Sequence, residues 1–307
     1  MTPEQQHRRG LSYGLAAYIL WGFLPIYWRA LHSVAPIEIL ANRITWSMLL
    51  VGAIILFRGE FGQLWQAART PRLLGLSMLA GTLLGLNWFI YIWSVNNGFV
   101  LESSLGYFIT PLVNMLFGVI FVHERLRSGQ WAALGVMALG VIYLTVTYGQ
   151  LPWIALSLAA SFGLYGYIKK MTPLPALHSL TLETATVVLP ALGVLLFLQV
   201  DGSAALFHSD WYVTLLLIFT GVITAIPLLW FAIAARNIPL TLLGVLQYIS
   251  PSMQFFLGVF LFQEHFTITR LIGFIIIWTA LVIYSVEGMV NRQRLANQRL
   301  ANGAAAD

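Results

Sequence analysis

The stretch SLGYFITPLVNMLFG, residues 104–118, is apolar enough for a lipid bilayer, yet it holds a proline at its centre and an asparagine three residues later. Tyr107, Thr110, Asn114 and Gly118 are spaced by three, four and four residues, so on a helix they share one face. Pro111 has no N–H and leaves the carbonyl of Tyr107, four residues earlier, without its helical partner. Hydrocarbon cannot satisfy such groups, so a helix of this kind must face protein or a water-filled cavity.

The same design recurs in LLGVLQYISPSMQFFLGV, residues 242–259. Gln247, Ser250, Gln254 and Gly258 take the places of Tyr107, Thr110, Asn114 and Gly118, and Pro251, taking that of Pro111, frees the carbonyl of Gln247. A shift of 140 or 141 residues also carries Leu15 and Gly22 onto Leu156 and Gly163, Thr45 and Gly52 onto Thr186 and Gly193, and Gly81 and Asn97 onto Gly221 and Asn237. Ile109, Val119 and Glu124 fall on Ile249, Val259 and Glu264. One near-constant offset linking four pairs of segments indicates an internal repeat.

The chain as a whole is 59% hydrophobic and 9% charged over 307 residues, with a mean hydropathy of +0.82. Soluble proteins carry about 25% charged residues, so this is a polytopic membrane protein. Apolar runs close to the ~20 residues that cross a bilayer fall at about 11–30, 36–57, 73–95, 100–122, 129–147, 151–168, 178–199, 212–234, 239–262 and 270–286. The first is read as a retained span. The expected fold is therefore all-α, with ten transmembrane helices in two repeats of five: spans 1–5 in residues 1–147 and spans 6–10 in 151–286. A basic tail, 287–307, is expected to be mobile.

Lys and Arg set the orientation. With the N-terminus inside, the cytoplasmic segments hold Arg8, Arg9, Arg58, Arg69, Arg72, Arg125, Arg127, Lys169, Lys170, Arg236, Arg292, Arg294 and Arg299, against Arg29 and Arg270 outside. Both termini are expected in the cytoplasm. The net charge of +5 then reports topology, and no nucleic-acid partner is expected.

An odd number of spans per repeat inserts the second copy upside down, an inverted-topology repeat around a pseudo-twofold axis in the membrane plane. Two halves that can exchange conformations give inward-open and outward-open states, the geometry of alternating access. The two polar stripes are then expected to line a central cavity. The competing reading makes them interhelical hydrogen-bond glue, worth about 0.6 kcal/mol per group.

The stretches NWFIYIWSVNNGFVLESSLGYFITPLVNMLFGVIFVHERL (87–126), WGFLPIYW in span 1, EILANRITWS in span 2 and LETATVVLP in span 7, together with the span 9 stretch, resemble the RarD-type branch of the EamA family, in the drug/metabolite transporter superfamily. The resemblance covers nearly the whole chain. It implies a ten-helix carrier of the bacterial inner membrane, with a cavity formed mainly by spans 1, 3, 4, 6, 8 and 9 and a possible homodimer surface on spans 5 and 10. The family's repeat typically closes its fourth helix with Gly-Glu; here His123-Glu124 and Gln263-Glu264 stand instead.

Arg43 and Glu183 lie within spans 2 and 7, on opposite sides of the midplane. Their depths differ by roughly 13 Å at 1.5 Å per residue, which argues against a direct ion pair. Arg43 is a candidate anchor for an anionic substrate group or gate carbonyls, and Glu183 the candidate proton-coupling site. The plainer alternatives are bonding of Arg43 to span-end carbonyls and capping of a helix turn by Glu183. Glu38 and Glu102, at span mouths, are expected to be hydrated. Asn87 and Tyr91 share a face of span 3. Trp21, Trp88, Tyr165, Trp230 and Tyr248 lie deep in cavity-forming spans, whereas Trp131, Trp153 and Trp211 are assigned to interfacial belts. Gly22, Gly81, Gly118, Gly163, Gly221 and Gly258 are read as packing contacts.

The expected ligand is a small metabolite or amphipathic zwitterion, because a polyanion would want several intramembrane cations. The chain has no cysteine, no HExxH or Walker-type sequence and only scattered histidines, so no metal and no cofactor is expected. The reading is a secondary transporter, in the export direction and with protons as the candidate coupling ion. A non-transporting scaffold or regulator and an intramembrane enzyme are the alternatives.

Overall fold

The computed structural model describes residues 2–304 apart from 98, 150, 262 and 264–266. Glu264 and His265 therefore lie outside the described residues, as does the Glu102 side chain. The described residues form helices α1 (Pro3–Ala30), α2 (Pro36–Phe57), α3 (Phe61–Arg69), α4 (Pro71–Asn96), α5 (Val100–Ile120), α6 (Ser128–Tyr148), α7 (Trp153–Met171), α8 (Ala176–Asp201), α9 (Trp211–Asn237), α10 (Leu240–Gln247), α11 (Ile249–Phe256) and α12 (Ile268–Ala304). No strand occurs among them. Eight helices, counting Leu240–Leu261 as one, are long and apolar enough to cross a membrane. The protein is a polytopic helical membrane protein.

The helix ends follow local chemistry. Pro36 and Pro71 open α2 and α4, where their missing N–H would have had no partner. Gly149 and Gly202 end α6 and α8 in the left-handed conformation, at φ 84° and 75°. His123 and Gln263 also adopt this conformation, at φ 56° and 52°. These are the two positions where the resembled family carries glycine, and the backbone gives the reason: only glycine enters that region without a steric penalty.

Three features differ from the sequence reading. The connection after α2 contains α3, a short helix on which Phe61 and Trp65, one turn apart, stack at 6.4 Å with both rings exposed. The chain beyond 286 continues as α12 to Ala304, because residues 289–302 contain neither Gly nor Pro. Glu287, near its start, accepts a bidentate bond from Arg127 at 2.5 and 2.7 Å. The two prolines of the repeated motif also act differently. The helix runs unbroken through Pro111. In the second copy it breaks at Tyr248, between α10 and α11, and ends in a π-helical turn over Leu257–Leu261.

The main packing pairs are α1 with α9 and α11, α2 with α8 and α9, α4 with α7 and α8, α5 with α7 and α10, and α6 with α12. Glycines permit the closest crossings. A methyl group on Gly22 would lie 2.7 Å from Met253 Sδ, and one on Gly163 2.7 Å from Val113 Cγ1. One on Gly221 would lie 2.4 Å from the backbone of Trp46, and one on Gly81 2.4 Å from the carbonyl oxygen of Glu183. These four glycines are packing contacts, as expected.

Candidate functional site

A cavity of about 190 Å³ lies between α1, α2, α4, α5, α7, α9, α10 and α11. Ligand pockets commonly run to about 300–1,000 Å³, so this one suits a small molecule. Its lining starts near the middle of the helices, at Tyr18, Leu84, Thr224 and Gln247, and extends towards the C-terminal ends of α1 and α4, at Trp28 and Tyr91. The opposite end of the bundle contributes no lining residue.

Of the residues singled out by sequence, Tyr107, Thr110, Gln247, Ser250, Gln254, Asn87, Tyr91, Trp21, Trp88 and Arg43 line this cavity, as does Pro251. Asn114, Tyr165, Trp230, Tyr248, Pro111 and Glu183 are not among its lining residues. Asn114 is buried and donates from Nδ2 to Gln247 Oε1 at 2.6 Å, one turn below the lining residue Thr110. Tyr248 is buried and donates to the carbonyl of Phe108 at 3.1 Å. Trp230 packs at 6.5 Å from Tyr13, and Tyr165 stacks on Phe231 at 5.8 Å.

Cavity lining and interhelical bonding turn out to coexist in the same side chains. Ser250 lines the cavity and donates to the carbonyl of Tyr18 at 2.8 Å. Gln254 donates from Nε2 to the carbonyl of Trp21 at 3.2 Å. That carbonyl is free because Pro25, four residues on, has no N–H to give it. Asn87 donates to the carbonyl of Leu158 and the hydroxyl of Ser161, both at 2.9 Å. Each bond satisfies a group that hydrocarbon would leave orphaned, while the side chain still faces the cavity.

Arg43 lies in the upper part of the cavity. Its Nε donates to Thr224 Oγ1 at 3.0 Å, and its guanidinium carbon sits 4.9 Å from the ring centre of Trp28 and 4.6 Å from that of Trp88. Tyr91 and Tyr107 meet nearby in an edge-to-face pair at 5.8 Å. Trp28, Pro25 and Thr224 escaped the sequence reading. Pro25 carried the same signal as Pro111, a proline within an apolar helix; Trp28 and Thr224 carried none beyond composition.

Glu183 has a partner that sequence reasoning assigned elsewhere. Lys169, by sequence a cytoplasmic topology signal, is 2% exposed and bonds Glu183 Oε1 at 2.6 Å. Ser179 bonds the same carboxylate oxygen at 2.5 Å, and Tyr165 the other at 3.3 Å. The intramembrane ionisable groups are therefore not all isolated. Glu38 also departs from expectation: it is 1% exposed and accepts from the backbone N–H groups of Ala205 and Leu206 at 2.8 Å, rather than being hydrated. Both errors share a cause, since a charge at a helix end reads as solvated until the neighbouring loop or helix is known to cover it.

The segment GLSYG, residues 10–14, has the spacing of a hydrolase nucleophile turn. It lies within the continuous helix α1, and Ser12 bonds back to the carbonyl of Arg8 at 3.1 Å. The strand–turn–helix that would present such a serine does not occur there. No group of three or more metal-ligating side chains occurs among the described residues.

Residues 8–146 match the EamA-like transporter family. Protein RarD of Streptomyces exfoliatus is 45% identical over 294 residues, covering 96% of this chain and 93% of that protein. Uncharacterized transporter YojE of Bacillus subtilis (strain 168) is 42% identical over 282 residues, covering 91% of this chain and 94% of that protein. Protein RarD of Escherichia coli (strain K12) is 36% identical over 291 residues, covering 94% and 98%. A crystal structure of another protein superposes with a TM-score of 0.70 at 21% identity, over 91% of this chain and 98% of that one, a likeness of fold. The chain is thus a membrane transporter, a RarD-type member of the EamA-like family.

Proposed function

We propose that this chain is a ten-span secondary transporter that moves a small metabolite across the bacterial inner membrane by alternating access. Two inverted halves, residues 1–147 and 151–286, would supply the two states. The observation that carries the reading is the packing pattern. Exchange α1 with α7, α2 with α8, α4 with α9, α5 with α10 and α11, and α6 with α12. The pairing of α1 with α9 then becomes that of α7 with α4, and α2 with α9 becomes α8 with α4. Likewise α1 with α11 becomes α7 with α5, while α2–α8, α5–α10 and α6–α12 map onto themselves. The Gly22–Met253 and Gly163–Val113 contacts exchange in the same way, as do the left-handed residues His123 and Gln263. The cavity sits on the seam between the halves, where such an exchange would open and close it.

The distribution of Lys and Arg supports cytoplasmic termini. In that orientation the cavity faces outward. The inner end is held shut by contacts between the halves, Asn114–Gln247 and Glu124, which accepts from the backbone N–H of Leu240 at 2.5 Å and of Thr241 at 2.9 Å. Opening inward would separate these contacts. Glu183 remains the proposed proton site: protonation would remove its charge from Lys169 and loosen the tie between α7 and α8 within the second half. A secondary carrier is reversible, so net export would follow the gradient of the coupled ion. Apolar side chains such as Leu139 and Val146 on α6 and Val282 on α12 face outward from the bundle and form the proposed dimer flank.

The protein contains no cysteine, which makes access directly measurable. A single cysteine at Leu158, on the cavity wall, should react with a membrane-impermeant thiol reagent from outside and, in a slower fraction, from inside in oriented vesicles. A scaffold that never exposes the cavity to the inner face would react from one side only.

A further inference from the structure

Resting on the transporter reading above, the structure points further, to the chemical class of the ligand: we infer that the cavity takes a monocarboxylate with a flat apolar body, held by Arg43 between Trp28 and Trp88. Arg43 is the one formally charged residue of the lining, and the lining contains no Asp or Glu. An anion therefore finds a counter-charge in the cavity and an ammonium group finds none.

The guanidinium is pre-set for this task. Its Nε is fixed by Thr224, and its guanidinium carbon lies over the rings of Trp28 and Trp88, 4.9 and 4.6 Å from their centres. Among the described residues no carboxylate lies within ion-pair distance of it, and its terminal nitrogens have no hydrogen-bond acceptor. A half-buried arginine whose fork is not spent on the protein matches the two oxygens of a carboxylate bidentately. Most intramembrane arginines are paired with a carboxylate or with carbonyls; in this protein Glu183 is instead engaged with Lys169, at 2.6 Å.

The rest of the cavity specifies the body of the ligand. Its walls are Trp21, Leu24, Leu84, Phe162 and Leu228, and its polar groups are neutral. At the deep end the hydroxyl of Tyr18 is buried without a hydrogen-bond partner, in a side chain that lines the cavity. Gln247 spends its oxygen on Asn114 and keeps its amide N–H groups. These groups allow one neutral polar substituent at the far end from the carboxylate. They do not provide for a second charge of either sign.

The test is calorimetric titration of the purified full-length protein with four probes of one shape: 3-phenylpropionate, its neutral amide, phenylalanine and 2-phenylethylamine. The expected order is 3-phenylpropionate first, phenylalanine weaker because its ammonium is unmatched, and the amide and amine weakest. Arg43→Gln should weaken 3-phenylpropionate by about 10- to 100-fold, the worth of a charge-assisted hydrogen bond, and leave the amide unchanged. Arg43→Lys keeps the charge but loses the fork and the stacking, and should fall between. It also serves as the folding control, with its unliganded melting temperature compared with wild type. Tightest binding by the amine or the amide, equal carboxylate affinity in wild type and Arg43→Gln, or no carboxylate binding at all would each overturn the inference. Labelling of the Leu158→Cys variant from both faces in any of those cases would leave the transporter reading standing and remove only the carboxylate.

Discussion

Arg43 and Lys169 are both basic residues within the helical bundle, and they have opposite fates: Arg43 is half-buried on the cavity wall and Lys169 fully buried off it. One guanidinium is stacked between tryptophans with its fork unspent, whereas the ammonium is buried against a carboxylate. Removing one member of a buried pair leaves an uncompensated charge, at a cost of about 3–5 kcal/mol, whereas replacing both with apolar residues is often neutral. Lys169→Met should therefore destabilise the protein by roughly that amount in a detergent unfolding titration. Lys169→Met combined with Glu183→Met should recover most of it. If Glu183 is also the proton site, the double variant regains stability but loses any pH dependence of transport. Recovery of both would reduce the pair to a structural contact.

At the level of the helix, the two copies of the proline motif adopt two different backbones. Pro111 lies in an unbroken helix and Pro251 lies just past a break, although the flanking residues correspond one for one. The ends of the two copies agree better, since His123 and Gln263 share the left-handed conformation. That conformation costs a side-chain-bearing residue about 1–2 kcal/mol, against which glycine loses about 0.5–1 kcal/mol of chain entropy. His123→Gly and Gln263→Gly should each stabilise the protein by roughly 0.5–1 kcal/mol in the same titration. Gly202→Ala, at φ 75°, should do the opposite. A loss of stability in both glycine variants would mean that the side chains make contacts outweighing the strain.

For the whole molecule, the question is how firmly one state is held. The Asn114–Gln247 bond joins α5 to α10, one turn from the lining residue Thr110. A neutral hydrogen bond is worth about 0.5–1.5 kcal/mol net, so losing it without leaving an orphaned partner shifts a two-state population by roughly 2- to 12-fold. Asn114→Leu with Gln247→Leu should raise inside labelling of the Leu158→Cys reporter by that factor. Unchanged labelling from both sides would show that this bond does not help to hold the inner end shut.

Hydropathy and composition alone made the chain a polytopic helical membrane protein, because a bilayer allows an apolar run of that length almost no other structure. The paired polar stripes likewise pointed to part of the cavity wall, at Tyr107, Thr110, Gln247, Ser250 and Gln254, since lipid penalises polar groups wherever the fold does not cover them. What the sequence left open was partnership. Arg43 and Glu183 read alike as lone intramembrane charges; only packing gave Glu183 its Lys169 and left Arg43 to the cavity. Asn114 read like Thr110, one turn away, yet one bridges two helices and the other lines the cavity. Periodicity fixes the face of a helix on which a side chain lies. Which neighbour meets that face, and at what depth, depends on tertiary packing, whether the partner lies 14 residues away, as Lys169 does from Glu183, or 133, as Gln247 does from Asn114.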